Sequence, residues 1–467
     1  MTDKKKEELL AALAATEQQH LLAFWDELDD ATKARLTSQI EQVDFDLVMQ
    51  LARGEDEAPD WAALADEAKP PRALRLSGQG NEFTVEDATA RAAKALRSGK
   101  LGMILVAGGQ GTRLGFHHPK GLFSLGPVSG RCLFQILIEK LLAVRCRYDV
   151  RIPLYLMTSP ATHGETVAFL DEHNRFGLPA DDLRIFCQGV MPAVDAETGR
   201  VLLAHRGSLF LSPDGHGGLL AAFHRSGCLE DAKQRGVEHL FYGQIDNPLL
   251  QICDERLIGY HLLAKSEMTS QVVPKRDPLE NVGSVAEIRG QMRIIEYSDL
   301  PEQVARLRDD DGTLRLWAGS IAVHVFELEF LDRMKDAVDA LPFHRAAKKA
   351  FHVNDDGQDV KPTEPNAIKF ERFIFDLLPS ARNAVVVEVD PQEAFAPVKN
   401  AAGTATDTAE TARAAMVRQD LAKLEAAGIR VAEGVPVEIN PLWALDSDEV
   451  ARKIDPNQTI TEPTYFH

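Results

Sequence analysis

At 467 residues the chain is too long for one ordinary hydrophobic core, so two or three structural units are expected. Hydrophobic residues at 45% and charged residues at 26% are ordinary globular composition and exclude disorder as the main state. With 71 acids against 52 lysines and arginines the formal charge is -19, a field that disfavours nonspecific binding to nucleic acid or anionic membranes and leaves any anionic ligand to a few local cations.

The opening stretch, MTDKKKEELLAALAATEQQH, turns quickly from basic to acidic and amphipathic and does not read as a signal peptide. No run approaches the roughly 18 apolar residues of a membrane span. Cys132, Cys146, Cys187, Cys228 and Cys253 are dispersed, without a CxxC pair, which reads as reduced cytoplasmic thiols rather than a zinc site. Leu9, Leu10 and Leu13, then Leu21, Leu22, Phe24 and Trp25, then Leu36, Ile40, Val43 and Leu47 fall at helical spacing. They predict two or three helices over residues 4–53, layered on a larger domain. The polar stretch GEDEAPDWAALADEAKPPRAL (54–74) marks a boundary.

Near residue 98 the pattern changes. MILVA (103–107) is a short continuous apolar run, as expected of a strand buried on both faces of a largely parallel sheet. Further strands are expected at 152–158, 183–188, 239–246, 268–274 and 293–298, with helices in CLFQILIEKLLAVRCR (132–147) and TVAFLDEHNRF (166–176) between the early ones. This alternation predicts a wound α/β sheet that gains antiparallel character later, with ligands collecting beyond the carboxyl ends of its strands. A final unit begins near AVVVEVD (384–390) and holds a long helix, TAETARAAMVRQDLAKLEAAG (408–428), followed by short β segments. The expected organisation is a helical region over 1–98, a main α/β domain over 99–383 and a small α+β unit over 384–467.

The first strand runs into LVAGGQGTRLGFHHPKGL (105–122). The dinucleotide fingerprint GxGxxG fails here, because Leu114 stands where the third glycine belongs, and Gly115 to Lys120 does not match a Walker loop. What remains is a loop in which Gly108, Gly109 and Gly111 let backbone approach a nucleotide, with Arg113 and Lys120 placed to neutralise phosphate oxygens.

AGGQGTRLGFHHPKG (107–121) resembles the signature of the eukaryotic-type UDP-N-acetylhexosamine pyrophosphorylases. Later segments are similar to that family in the same order: FCQGVMPAV (186–194), SPDGHGGLLAAF (212–223), FYGQIDNPLLQICD (241–254), NVGSVAEIRGQMRIIEYSDL (281–300), EPNAIKFERFIFDLLP (364–379), FAPVKNAAGTATDTAETAR (395–413) and VEINPLW (437–443). The resemblance covers roughly residues 100–443. It implies a Rossmann-like, GT-A-like nucleotidyltransferase with a mixed sheet. It also implies that UTP and a sugar 1-phosphate give a UDP-sugar and pyrophosphate, with N-acetylglucosamine 1-phosphate as the leading acceptor. By the same resemblance Arg113, Lys120, Lys369 and Lys399 are catalytic cations, and Gly108, Gly109, Gly111, Thr112, Gln188, Gly217, Gly218 and Asp246 bind the nucleotide, Gln188 reading uracil. Asn247, Gly283, Glu296, Tyr297 and Ser320 face the sugar, and Asp246 holds Mg²⁺.

In-line attack by an already anionic phosphate oxygen requires neither a covalent intermediate nor a general base, so charge stabilisation and positioning dominate. That accounts for a site rich in cations and poor in nucleophile triads. The chain departs from the family pattern in two places. WAGSIAVHVF (317–326) carries Trp317, Ser320 and Val323 where the family has asparagines, and His216 replaces an asparagine in the uridine loop. The first departure leaves a UDP-glucose or broad-specificity pyrophosphorylase open. A glycosyltransferase using Asp246 in a degenerate DxD, or a noncatalytic UDP-sugar sensor, would be set apart by pyrophosphate release and turnover. No nucleic acid, membrane or protein partner is expected.

Overall fold

The computed structural model describes residues 3–54, 61–335, 341–456 and 458–467; residues 55–60 of the polar boundary stretch lie outside them. The chain forms two units, each drawn from three separate stretches. The smaller comprises Met1–Asp60, Gln188–Ala221 and Ala337–Asp376, the larger Trp61–Cys187, Ala222–Asp336 and Leu377–His467.

The smaller unit opens with α1 (Asp3–Ala14), α2 (Asp30–Gln42) and α3 (Phe45–Arg53). Asp29 caps α2 by accepting from the Thr32 amide, and Asp44 caps α3 through Leu47. Leu9, Leu13, Leu36, Ile40, Val48 and Leu51 bury the apolar stripes of these helices with Val194, Val201, Leu203 and Phe370. Gln18 and His20 fasten the first turn after α1 to both polar groups of Val201. The expected helical layer is present, and its bed is the strands of this unit. A three-stranded sheet sets Ala367–Glu371 between His344–Lys348 and Val194–Asp195.

The larger unit is built on a ten-stranded mixed sheet. Its strands are β1 (Ala73–Leu74), β2 (Leu101–Val106), β3 (Leu154–Thr158), β4 (Leu183–Cys187), β5 (His239–Gln244), β6 (Met268–Pro274), β7 (Ser284–Ile288), β8 (Gln291–Ile295), β9 (Ala318–Glu327) and β10 (Val385–Glu388). The order is β1-β10-β6-β9-β5-β2-β3-β4, with the β7–β8 hairpin joined to β9. Strands β5, β2, β3 and β4 run parallel, while β9 is antiparallel to both β5 and β6, which supplies the expected mixed character. Leu101, Met103, Ile104 and Leu105 are all buried, as their continuous apolar run requires.

Helices α4 (Val85–Arg97), α5 (Leu133–Tyr148) and α6 (Glu255–Leu263) contribute to the core of this sheet. Val385–Glu388, read from sequence as the head of the C-terminal unit, lies inside the sheet between β1 and β6, because three successive valines need cover on both faces. The long helix α7 (Ala409–Ala426) starts at a capping box on Thr408 and Thr411. After it, Val437–Ile439 pairs with Thr464–Phe466 over a small core of Leu424, Ile429, Val437 and Ile460. All five cysteines are free, and no helix among the described residues is long and apolar enough to cross a membrane.

Candidate active site

The glycine loop begins where β2 ends. Ala107 donates to Met157 O and Ile245 to Val106 O, extending the parallel ladder of β3, β2 and β5 by one step and aligning their carboxyl ends. The chain then turns back on itself. Gly111 N–H donates to His118 O, and Lys120 N–H to Gly109 O, closing the loop 109–120. Glycine is required at 111, since a Cβ there would stand 2.8 Å from both Phe116 O and its ring. A Cβ at Gly109 would meet nothing within 4 Å, so this exposed backbone faces open space. Arg113 is exposed on the one-turn 3-10 segment Thr112–Leu114.

Asp246 lies two residues beyond β5, and its carboxylate is 3.8 Å from the Lys120 ammonium, both side chains being largely buried at 14% and 16% exposure. Its backbone oxygen accepts from Val398 N–H at 2.8 Å, which brings in the APVKN segment. Asn247 completes the fastening: its amide donates to Ala394 O at 2.7 Å and its carbonyl accepts from Ala396 N–H at 3.2 Å. Lys399 follows, with its ammonium 5.6 Å from the Phe395 ring centroid and its N–H on Asp407 O. Burial pushes the Asp407 carboxyl up, nearby Lys399 opposes that shift and Asp246 adds to it. The larger unit therefore brings together the glycine loop, Lys120, Asp246 and Lys399 at the carboxyl ends of β2 and β5.

A second group sits around β7, β8 and β9. Gly283 O accepts from Ser320 N–H at 2.8 Å, and a Cβ on Gly283 would be 3.1 Å from Glu296 Oε1. Glu296 and Tyr297 lie just past the end of β8 rather than within a strand reaching 298, and Tyr297 is 52% exposed. Strand β9 is irregular at this point. Val272 pairs with Ser320 but Gln271 with Val323, so Ile321 and Ala322 are extra residues, and Ala322 takes φ +55°. Trp317 is buried under the Arg75 guanidinium, 3.8 Å from its ring centroid.

The remaining candidates belong to the smaller unit. Gln188 is buried immediately after β4. Gly217 N–H donates to Arg372 O, and a Cβ at 217 would stand 2.6 Å from the Arg372 carbonyl carbon and the Phe373 nitrogen, which leaves room only for glycine. Gly218 adjoins it and sits against the Asp214 carboxylate. His216 Nδ1 accepts from Ile374 N–H, and its ring packs on Phe373 and Phe375. Burial, aided by nearby His344, pushes this imidazole down to about 4, so it is neutral at physiological pH. Lys369, on the central strand of the three-stranded sheet, stands 5.1 Å from the Phe210 ring centroid, and burial lowers its ammonium from the usual value.

Sequence reading missed two contributors. Ser159, buried beyond the end of β3, donates from its hydroxyl to Gly108 O at 2.7 Å and holds the first glycine of the loop. Lys275, buried after β6, donates to Pro278 O and to the hydroxyl of Ser284, the neighbour of Gly283. Their positions just past strand carboxyl ends were the available signal.

The family described as UTP–glucose-1-phosphate uridylyltransferase matches residues 64–460. The chain belongs to this family. Among its relatives is UDP-N-acetylglucosamine pyrophosphorylase of Saccharomyces cerevisiae, 38% identical over 354 residues, 74% of either chain. UDP-N-acetylhexosamine pyrophosphorylase-like protein 1 of Homo sapiens is 35% identical over 429 residues, covering 89% of this chain and 84% of that one. The solved UDP-N-acetylglucosamine pyrophosphorylase of Trypanosoma brucei superposes with a TM-score of 0.80 over 100% of this chain and 98% of its own, and at 24% identity it speaks for the fold. The uridylyltransferase family thus supplies the fold expected of the mixed sheet: a nucleotidyltransferase with additional N-terminal helices.

Proposed function

We propose that this uridylyltransferase joins UTP to N-acetylglucosamine 1-phosphate, releasing pyrophosphate. The observation that carries the reading is the meeting of Lys120, Asp246 and Lys399 at the carboxyl ends of β2 and β5, beside a glycine loop with open backbone. The names of the yeast and human relatives favour the N-acetylated sugar.

In the reaction a phosphate oxygen of the sugar 1-phosphate forms a bond to the α-phosphorus of UTP, and the bond from that phosphorus to the bridging oxygen breaks. Pyrophosphate carries the electron pair away. The backbone of Gly108, Gly109, Gly111 and Thr112 approaches the phosphates, and Arg113 and Lys120 neutralise them. Lys369 and Lys399 hold the two reacting phosphates against their mutual repulsion. Gln188 reads the uracil edge, and Gly217 and Gly218 bind the nucleotide. Glu296, Tyr297, Gly283 and Ser320 meet the sugar, and Asn247 acts on it through the segment it fastens.

Among the described residues no group of three or more His, Cys, Asp or Glu is placed to cage a metal. Asp246 offers one hard carboxylate at the phosphate site, which fits Mg²⁺, an ion bound through one or two carboxylates plus substrate phosphates and water. Mg²⁺ bound there would neutralise phosphate charge. The reaction is placed in the cytoplasm, in keeping with five free cysteines.

The test is pyrophosphate release from UTP and Mg²⁺ with N-acetylglucosamine, N-acetylgalactosamine, glucose and galactose 1-phosphates. Higher kcat/KM for the N-acetylated sugars supports the reading. Preference for glucose 1-phosphate would replace it with a UDP-glucose pyrophosphorylase, and absence of release with every sugar would refute transfer altogether.

A further inference from the structure

A cavity of about 470 Å³ lies in the larger unit, framed by α5, the loop 247–254, α7 and residues 439–446. Its volume is within the range of about 300–1,000 Å³ usual for small-molecule sites. Ile136, Lys140 and Val144 project into its wall from one stripe of α5, at i, i+4 and i+8, and Met416, Gln419, Asp420 and Lys423 from one stripe of α7. A lysine thus occupies the middle of an apolar helical stripe.

The other charged groups on this wall each have a capping, hydrogen-bonding or ion-pair partner. Asp254 caps α6 through Arg256 and Leu257, Glu255 accepts from the Tyr148 hydroxyl, and Asp420 accepts from Ile439 N–H and Lys423. Asp446 pairs with Arg147, and Arg131 bridges Glu139 and Glu438. Lys140 instead donates only to carbonyls, Pro248 O at 2.6 Å and Leu250 O at 3.2 Å, with no carboxylate partner among the described residues. Also on the wall, the Gln251 side-chain oxygen is buried and accepts no hydrogen bond among the described residues. The wall therefore combines an apolar surface, one cation lacking an anion and one acceptor lacking a donor.

We propose that this cavity binds a small amphipathic anion, its apolar body against Ile136, Val144, Leu249 and Met416, its carboxylate or sulfonate on the Lys140 ammonium and an N–H or O–H on Gln251. Burial, joined by Lys423 on α7 and Arg131 before α5 and opposed by Asp420, pushes the Lys140 ammonium down to about 7. An incoming anion supplies the missing counter-charge and favours the protonated lysine, so affinity falls as pH rises above 7. Lys140 also holds the carbonyls of Pro248 and Leu250, two and four residues past Asp246. Any effect on turnover rests on the reading of Asp246 given above; binding does not.

The probe is 8-anilinonaphthalene-1-sulfonate, titrated by fluorescence against the full chain without substrates at pH 6.0 and 8.5, then with saturating UTP and Mg²⁺. The expected result is one saturable site, weaker by about tenfold or more at pH 8.5, unaffected by UTP, and both weakened and pH-independent in Lys140→Met. Val85→Trp, at the exposed mouth of the cavity, should weaken binding while leaving the pH dependence in place. This arm stands even if Lys140→Met does not fold. Wild-type affinity that is flat with pH, displacement by UTP, or binding indifferent to Val85→Trp would overturn the proposal.

Discussion

Lys399 and Asn247 divide the labour at the end of β5. Lys399 is partly exposed and hydrogen-bonds through its backbone, its ammonium otherwise resting near the Phe395 ring, so Lys399→Ala should change the melting temperature little while kcat falls by about 10²- to 10³-fold, the scale of a lost transition-state donor. Asn247→Ala should differ. It strips the hydrogen bonds of Ala394 O and Ala396 N–H, so urea unfolding should show a loss of about 1–3 kcal/mol, accompanied by lower turnover as the Lys399 segment loosens. Equal thermal stability of the two variants would refute that division. The candidate cations Arg113, Lys120 and Lys399 stand out in the chain because they lie among glycines, prolines and apolar residues that leave a cation little reason to be there. Asn247 could not be understood that way, since its partners lie 147 and 149 residues further along.

At the scale of the element, the irregular strand β9 sets the backbone on which the proposed sugar-facing Ser320 stands. Its two extra residues, Ile321 and Ala322, re-aim the backbone directly after Ser320. Ser320 N–H is engaged by Gly283 O, while its hydroxyl oxygen accepts only a long hydrogen bond from Ala322 N–H at 3.4 Å, so the side chain is the more adaptable group at this position. Ser320→Asn should change the ratio of kcat/KM for N-acetylglucosamine 1-phosphate over glucose 1-phosphate by about 3- to 10-fold, the worth of one hydrogen bond, without altering KM for UTP. An unchanged ratio would remove Ser320 from sugar selection. The strand Ala318–Glu327 is not among those expected from sequence, and its bulge depends on pairing with β6, which local sequence does not specify. Trp317 shows the same limit: its place beneath Arg75 is a contact across the fold, not a property of the WAGSIAV segment.

For the whole molecule, the dispersed buried ionisable groups set the response to acid. His239 Nδ1 and His261 Nε2 are 3.1 Å apart, and His261 Nδ1 is 3.0 Å from the Thr269 hydroxyl. Burial pushes His239 down to about 4 and His261 well below its usual range. Both are neutral when folded and protonate more readily when unfolded, so their contribution is complete above about pH 6.5 and is lost as pH falls towards 4. Glu267 adds a later loss. Arg333 and Arg382 hold its carboxyl at about 2, so its contribution is complete above about pH 4.5 and fades as pH drops towards 2. Urea unfolding from pH 7 to 3 should therefore weaken in two stages. His239→Gln should flatten the first, and Glu267→Gln the second; a slope unchanged by either substitution would assign acid sensitivity to other groups.

The sequence by itself determined the character of the sheet, the helical N-terminal layer and the glycine loop. Continuous apolar runs, helical spacing and a glycine at 111 crowded by Phe116 are local constraints, each satisfied within a few residues. Only the tertiary structure decided that Val385–Glu388 belongs within the central sheet, that His216 is a neutral packed ring, and that Asn247 is occupied in holding Ala394 and Ala396. It also decided that Lys140 is a cation without a carboxylate. Those outcomes depend on which partners the fold brings to each side chain from a hundred or more residues away, and on how much water it leaves there; hydrogen bonding and desolvation are settled by neighbours in space.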